Sequence, residues 1–449
     1  MRHPRKKEKF YQWLGGLFIL FLWACPALAQ QEELPPRGKP LTLEQCTAMA
    51  LKYHPSLRAN QATIEASKAR VEQALSAYYP QVDLSGNYTN GTSNYSGGTS
   101  NYSGITRSGS NNWTFYNFYS VGPSLTQNIY DFGRRANNVT INRENVKASE
   151  EDLTTAKQLV VLNVKQAYFG VLQTLRLIQV AEDLVKQDKQ RLEQAQGFYQ
   201  AGTRPKIDVT KAEVDLANAE LNLIRAKNNY QLARVTLNNA MGLRESLSFA
   251  IEDSMDIKPV QVTLDEILNL SYAQRPELLQ LKARQRSLEA TVKLAQSSYY
   301  PTLSGNASYL YRGNQVENLY WDLFVGATLN IPLFSGFSSP NQVAEARANL
   351  RNLQAQEENL KLNIRLEAEQ AFLGLKEADE RIRVTEKAVG HAQENFELAN
   401  GRYQVGVGFP LEVTDAEVLL ANARANYIQA LYDYKVSEAR IEKAMGINR

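Results

Sequence analysis

Cysteine and histidine are scarce in this chain, and their scarcity excludes several kinds of site. The 449 residues include two cysteines and three histidines, and these five side chains are scattered. A Cys-His zinc site or a Ser-His-Asp triad needs several such residues close together. The many acidic residues lie among lysines and arginines, as on solvated helix faces, and form no convergent polar site. We therefore expect no metal, no cofactor and no enzymatic activity.

A long hydrophobic run is also missing. The apolar run at residues 13–24 covers about 12 residues, whereas a transmembrane helix needs about 20. Basic residues precede it and an Ala-x-Ala motif follows it, a pattern that predicts a secretory signal peptide cleaved between Ala29 and Gln30. The alternative is lipidation of Cys25 within a loose lipobox. We favour cleavage because a tryptophan before the small residue suits a lipobox poorly.

Positive charge is in short supply once the signal peptide is removed. Residues 1–29 carry five basic side chains and one acidic side chain, so the formal charge falls from +3 to −1. Binding to nucleic acid would need a basic surplus, and we expect no such partner. Cys46 is then the one remaining cysteine, which excludes an intrachain disulfide.

The chain repeats itself, and this duplication organises it. The motif Tyr78-Tyr79-Pro80 recurs as Tyr299-Tyr300-Pro301, and further along Gly202 of the first copy aligns with Gly406 of the second. The offset between the copies shortens between about 85 and 120, a stretch that contains 87–112, a segment rich in Asn, Ser, Gly, Thr and Tyr. This segment is predicted to be an enlarged polar loop present in the first copy alone.

Each copy is predicted to contain a helix that ends at the Tyr-Tyr-Pro motif, two strands, a long helix and a returning helix. Alternation of apolar and polar residues predicts the strands, and proline-free runs rich in Ala, Leu, Glu and Gln predict the helices. The copies span 30–242 and 263–449, and 243–262 links them. Predicted strands are 80–90, 113–130, 301–311 and 320–333, long helices are 134–200 and 341–404, and returning helices are 206–241 and 410–445.

The strand pairs have one apolar side, one polar side and aromatic residues near their ends. This pattern is typical of a transmembrane β-barrel, although a soluble antiparallel sheet facing water on one side would show the same alternation. The signal peptide and the absence of any other predicted sheet favour the membrane. One chain supplies four strands, whereas the smallest bacterial single-chain barrels have about eight. The barrel must therefore be shared between chains.

The long helices predict a coiled-coil architecture. Val139, Val146, Leu153, Val160 and Ala167 recur every seven residues, which is the spacing of a coiled-coil seam. A helix over 134–200 would extend about 100 Å. Such a helix needs partner helices, because packing and not propensity provides most of its stability.

This order of elements, given twice, resembles the outer-membrane factor (TolC) family. The resemblance covers about 41–446 and is carried by both Tyr-Tyr-Pro motifs, by the run Asn330–Gly336 before the second long helix, and by the turns that end the long helices. It implies a mainly α fold with a small transmembrane β part. In such a fold, three chains form a 12-stranded barrel in outer-membrane lipid and a helical tunnel in the periplasm.

The resemblance also implies a function. The homotrimer would be the passive exit duct of a tripartite efflux or type I secretion system, joined to an inner-membrane pump by a periplasmic adaptor. An exported coiled-coil tether or adhesin is the alternative, but it would not need two amphipathic strand pairs. Drugs, metal ions and polypeptides all fit such a duct, so the cargo and the class of pump stay open.

The turns after the long helices are the candidate sites that the resemblance implies. Glu412 and Asp415 lie three residues apart, hence on one helix face, and three copies would place six carboxylates around a pore constriction. Alternatively, these acids serve as helix-capping groups at the positive end of the returning helix. Gly408 stands where the other copy has Arg204 and where family members often have arginine, so we expect no gating salt bridge from the second turn. The residues implied to contact the adaptor are Gly202, Thr203, Arg204, Asp208, Gly406 and Val413.

Overall fold

The computed structural model describes residues 40–93, 114–243, 250–253, 255, 257 and 262–447. The predicted signal peptide with its cleavage site at Ala29 and Gln30 lies outside the described residues, and so does Cys25. The predicted loop at 87–112 lies outside them too, except for 87–93, which continue a strand.

The elements of the first copy recur in the second in the same order. The first copy contains α1 (Leu43–Tyr53), α2 (Pro55–Ser76), β1 (Gln81–Ser93), β2 (Thr114–Tyr130), α3 (Arg134–Gln200) and α4 (Lys206–Ala240). The second contains α5 (Leu264–Gln274), α6 (Pro276–Gln296), β3 (Thr302–Gly313), β4 (Tyr320–Asn330), α7 (Ser338–Gln404) and α8 (Pro410–Ala444). Both long helices, α3 and α7, have 67 residues, and both returning helices have 35.

The single helix predicted before each Tyr-Tyr-Pro motif is wrong, because two helices stand there. His54 and Arg275 have extended backbones, and Pro55 and Pro276 begin the second helix of each pair. A residue before proline avoids helical geometry, whereas proline itself suits the first helical position.

Two predicted boundaries around Pro332 and Pro340 also need correction. β4 ends at Asn330 and not at 333, and the long helix of the second copy begins at Ser338 and not at 341. Pro332 has no N–H for a sheet ladder. Pro340 lies in the first turn of α7, where an N–H would have no partner within the helix, so the helix can begin before it.

The four strands form one antiparallel sheet in the order β1-β2-β3-β4. Its register places Val82 opposite Leu125, Leu125 opposite Ala307, and Ala307 opposite Val325. One row of apolar residues therefore crosses all four strands. Among the described residues, the outer edges of β1 and β4 have no strand partner.

The main hydrophobic core lies midway along the long helices. Tyr168 and Leu172 of α3 pack there with Leu237 of α4, Ile267 of α5 and Ile441 of α8. The Tyr168 hydroxyl donates to the carbonyl oxygens of Leu41 and Glu252, at 3.2 and 2.6 Å. The segment between the copies is thereby held against the middle of α3.

The shorter helices meet end to end beside the long ones. Gly242, just after α4, has a φ of +73° and lies against the α1–α2 break, where an added Cβ would be 2.7 Å from His54 Cα. In the second copy Gly446 (φ +77°) lies at the break between α5 and α6, where an added Cβ would be 3.0 Å from the carbonyl carbon of Gln274. Both α2 and α4 pack along α3. Within the part of the chain that is described, no helix is both long and apolar enough to cross a membrane.

Candidate functional site

The α3–α4 turn is closed by a glycine in left-handed geometry. Gly202 has a φ of +71°, and its N–H donates to the Tyr199 carbonyl at 3.0 Å. The N–H and the hydroxyl of Thr203 both donate to the carbonyl of Phe198, at 3.0 and 2.9 Å. This pattern satisfies the last carbonyl groups of α3 and leaves Gly202 and Thr203 exposed.

The α7–α8 turn is tighter because it contains a second glycine. Gly406 (φ +83°) has open space where a Cβ would stand, but a Cβ on Gly408 would lie 2.8 Å from the Tyr403 nitrogen. The N–H groups of Val407 and Gly408 both donate to the Arg402 carbonyl, at 3.0 and 2.9 Å. This close approach of the backbone explains why position 408 is glycine where the other copy has arginine.

Arg204 links the two turns. Its Nη2 donates to the Gly408 carbonyl oxygen at 2.9 Å, and its guanidinium carbon lies 5.7 Å from the centre of the Tyr403 ring. Its Nη1 is 4.0 Å from the carboxylate of Asp208. Burial raises the pKa of the Tyr403 hydroxyl, and Asp208 adds to the effect. The first turn thus supplies an arginine to the backbone of position 408, where the second turn has glycine.

A small apolar cluster supports the turns from inside. Val413 and Ala416 of α8 pack with Tyr403, and the Phe198 ring meets the Tyr403 ring edge-on at 5.9 Å. Val413 is only 1% exposed. The expectation that its side chain contacts an adaptor is therefore corrected, because the side chain packs within the turn region.

Glu412 and Asp415 lie at the surface of the single chain. Glu412 is in the first turn of α8, and its carboxylate is 3.6 Å from Arg402 Nη1. Asp415 is exposed. Phe409, the residue that precedes α8, forms no side-chain capping hydrogen bond. The geometry is compatible with both interpretations, a constriction or a favourable charge at the helix start.

A buried ionic cluster near the turns was missed at the sequence level. It consists of Asp188 and Arg191 on α3, Asp215 on α4, and Thr414 and Glu417 on α8. One signal was available, because Glu417 follows Val413 by four residues and hence shares its buried helix face. The spacing of Asp188 and Arg191 alone reads as an ordinary surface pair.

Known proteins similar to this chain are outer-membrane efflux proteins. TolC, an outer membrane protein of Escherichia coli (strain K12), is 24% identical over 421 residues, which cover 90% of this chain and 82% of TolC. The cation efflux system protein CusC of the same strain is 23% identical over 358 residues, covering 73% of both.

Solved structures share the fold, and a family model matches most of the chain. The outer-membrane channel OprN superimposes with a TM-score of 0.78 at 17% identity, covering 90% of both chains. This match confirms the mainly helical, TolC-like fold with a small sheet. Residues 47–243 and 267–447 match the model of the outer membrane efflux proteins. The chain therefore belongs to the outer membrane efflux protein family.

Proposed function

We propose that three copies of this chain form one passive duct, which an inner-membrane pump reaches through a periplasmic adaptor. Family membership makes the chain a subunit of an outer-membrane efflux channel. The observation that supports a trimer is the four-stranded sheet, whose two outer edges have no partner among the described residues. Joining β4 of one copy to β1 of the next would pair both edges, and three copies would close a sheet of 12 strands.

The apolar row across the sheet supports its placement in lipid. Val82 and Val325 are 65% and 74% exposed, and Leu125 between them is 37% exposed. Soluble proteins rarely leave a contiguous apolar patch uncovered. Since the row crosses all four strands on one face, lipid would cover it in a closed ring of three copies.

A second exposed apolar stripe supports contact between the helices of neighbouring copies. Ile207, Val214 and Leu221 of α4 are spaced seven residues apart and are 71%, 55% and 44% exposed. A seven-residue spacing matches a coiled-coil seam. This seam would join α4 to a helix of the next copy and complete the wall of the duct.

The turns are proposed to be the pump-proximal end of the duct. Gly202, Thr203 and Gly406 are exposed there and would meet the adaptor. Arg204 and Asp208 would hold the end closed through Gly408 and Tyr403. Glu412 and Asp415, repeated in three copies, would form a ring of acidic groups that favours cations in the bore.

The proposal is tested by oligomeric state and conductance. The purified full chain should run as a trimer after chemical crosslinking and should conduct ions in a planar bilayer. A protein that stays monomeric and never inserts would overturn the proposal. The contact with the adaptor is tested by copurification. The periplasmic adaptor and the inner-membrane pump should copurify with the wild-type chain, and Gly202→Asp should abolish this copurification.

Gly197→Asp is the matched control for that experiment. Gly197 lies in the last turns of α3, and a Cβ there meets nothing within 4 Å. The substitution adds the same charge near the turn without changing its surface. Equal loss of copurification in both variants would show that the turn does not make the contact.

A further inference from the structure

Arg191 lies where the two helical hairpins meet. Its side chain is 7% exposed, and its Nη2 is 3.0 Å from Oδ1 of Asp188 on the same helix, α3. Its Nη1 donates to Thr414 Oγ1 of α8 at 3.1 Å and is 3.7 Å from Asp215 Oδ2 of α4. The Glu417 carboxylate of α8 contacts the same guanidinium. One side chain therefore joins the α3–α4 hairpin to the α7–α8 hairpin near their turns.

The cluster contains more negative than positive charge. Three carboxylates surround one guanidinium, and the side chains of Asp188 and Glu417 are only 5% and 3% exposed. Glu417 Oε1 is buried and has no hydrogen-bond partner among the described residues. A buried charge without compensation is costly, so such groups bind protons or pair with opposite charges.

The groups that face Arg191 come from every helix packed around it. They are Asp188 on α3, Asp215 on α4, Glu417 on α8 and Tyr403 on α7, and Tyr403 is in turn next to Asp208 and Arg204. Apart from the guanidinium of Arg191, the groups in direct contact within the cluster are acids or a hydroxyl. A proton is thus the simplest way to reduce the excess negative charge.

We propose that Arg191 and the surrounding acids form a proton-binding joint, which holds the ends of the two hairpins together when protonated and loosens when it loses the proton. The inference rests on the proposed role of the turns as the closable end of the duct. A protonated carboxyl group also gains a donor, which would satisfy a buried oxygen such as Glu417 Oε1.

The direction of the pH effect follows from burial. Burial raises the pKa of Asp188 despite the opposing effect of Arg191, and Asp215 raises it further. A carboxyl group with a raised pKa binds its proton more tightly in the packed joint than in water. Low pH therefore favours the packed joint, and ionisation of Asp188 at higher pH weakens it.

The test is the pH dependence of channel opening in planar bilayers. We expect the wild-type channel to open less often at acidic pH, by up to about tenfold for each unit by which the pKa differs between packed and loosened joints. Asp188→Asn keeps a neutral side chain of similar shape at all pH values, so its open probability should stay near the wild-type acidic value. Both channels are compared in the Glu412→Gln/Asp415→Asn background, because these acids are proposed to line the bore.

Glu193→Gln is the matched control, since Glu193 is an exposed acid on the same helix. It should retain the wild-type pH dependence. If Asp188→Asn fails to assemble, Asp215→Asn tests the same joint at a more exposed position. The Asp215 side chain is 20% exposed, whereas that of Asp188 is 5% exposed. If the variant that assembles, Asp188→Asn or Asp215→Asn, keeps the wild-type pH dependence of opening, the proposed joint is wrong. A wild-type channel that conducts without pH dependence would overturn the joint alone, whereas a chain that never conducts would overturn the proposed duct.

Discussion

At the scale of single residues, the two turns differ at one matching position, which is Arg204 in the first turn and Gly408 in the second. Gly408 lies against the Tyr403 and Arg402 backbones, so no larger residue fits there without a shift. Arg204 of the other turn reaches across to the Gly408 carbonyl. The duplicated copies have thus diverged at their turns, and one arginine makes a polar contact between the two turns.

We predict that Arg204→Ala loosens the two turns and increases channel opening. The substitution removes a hydrogen bond and a cation–π contact, each contributing about 1 kcal/mol, enough to change an equilibrium about fivefold or more. The measurement is the open probability in planar bilayers. Arg225→Ala, at an exposed arginine of α4, the helix that follows the turn, is the control. Identical openings in both variants would mean that Arg204 does not hold the turns.

The residue scale also shows where prediction from sequence ends. The glycines at 202 and 406 mark the turns because left-handed geometry favours glycine, and this signal is local. Arg191 could not be recognised from its neighbours, because Glu417 and Thr414 belong to the other copy and meet it only after the hairpins pack. Val413 was misread for the same reason, since its burial depends on Phe198 and Tyr403.

At the scale of elements, the long helices are predictable from their length without proline and from their heptad pattern. The break at His54–Pro55 was missed because the apolar pattern continues across it and proline is compatible with the first turn of a helix. The described part of the segment between the copies docks on Tyr168 through the backbone carbonyl of Glu252, a contact that has no sequence signature.

We predict that Leu221→Lys weakens trimer formation without unfolding the chain. Leu221 is 44% exposed in the single chain, so a lysine is accommodated there. In the proposed seam the same charge would be buried against a neighbouring copy, at a cost of several kcal/mol. The measurement is the trimer fraction in detergent by light scattering.

Asn222→Lys adds the same charge at the next position of α4, which is exposed and outside the seven-residue stripe. It should leave the trimer fraction unchanged. Full trimer formation by Leu221→Lys would place the neighbouring copy on another face of α4.

At the scale of the whole molecule, the sheet and the helices present different surfaces for different surroundings. The sheet exposes an apolar row across all four strands, whereas the helices bury their core midway along α3 and α7. Localisation in the outer membrane follows from the family. The four predicted strands of one chain indicate that other copies are needed to close a barrel. The sequence does not show which strand edge of one copy pairs with which edge of the next.

We predict that Val325→Lys impairs insertion into the outer membrane. Val325 belongs to the apolar row, and a lysine on the lipid-facing side costs about 2–4 kcal/mol near the bilayer centre. The amount of trimer in isolated outer membranes measures the effect. Thr328→Lys, on the opposite face of β4, should be tolerated because that face would line the lumen. Equal loss in both variants would argue against a lipid-facing row.

The end of α4 meets the α1–α2 break. We expect the helical hairpin to tilt about this contact, which acts as its fulcrum. Gly242 lets the end of α4 touch this break, and α3 runs past it as one continuous helix. The 35 residues of α4 form an arm of about 50 Å between this fulcrum and the turn. A tilt of about 5° at the fulcrum would swing the turn by about 4 Å. In the proposed duct, such a tilt would change the width of the bore at the tip while the buried core around Tyr168 barely moves.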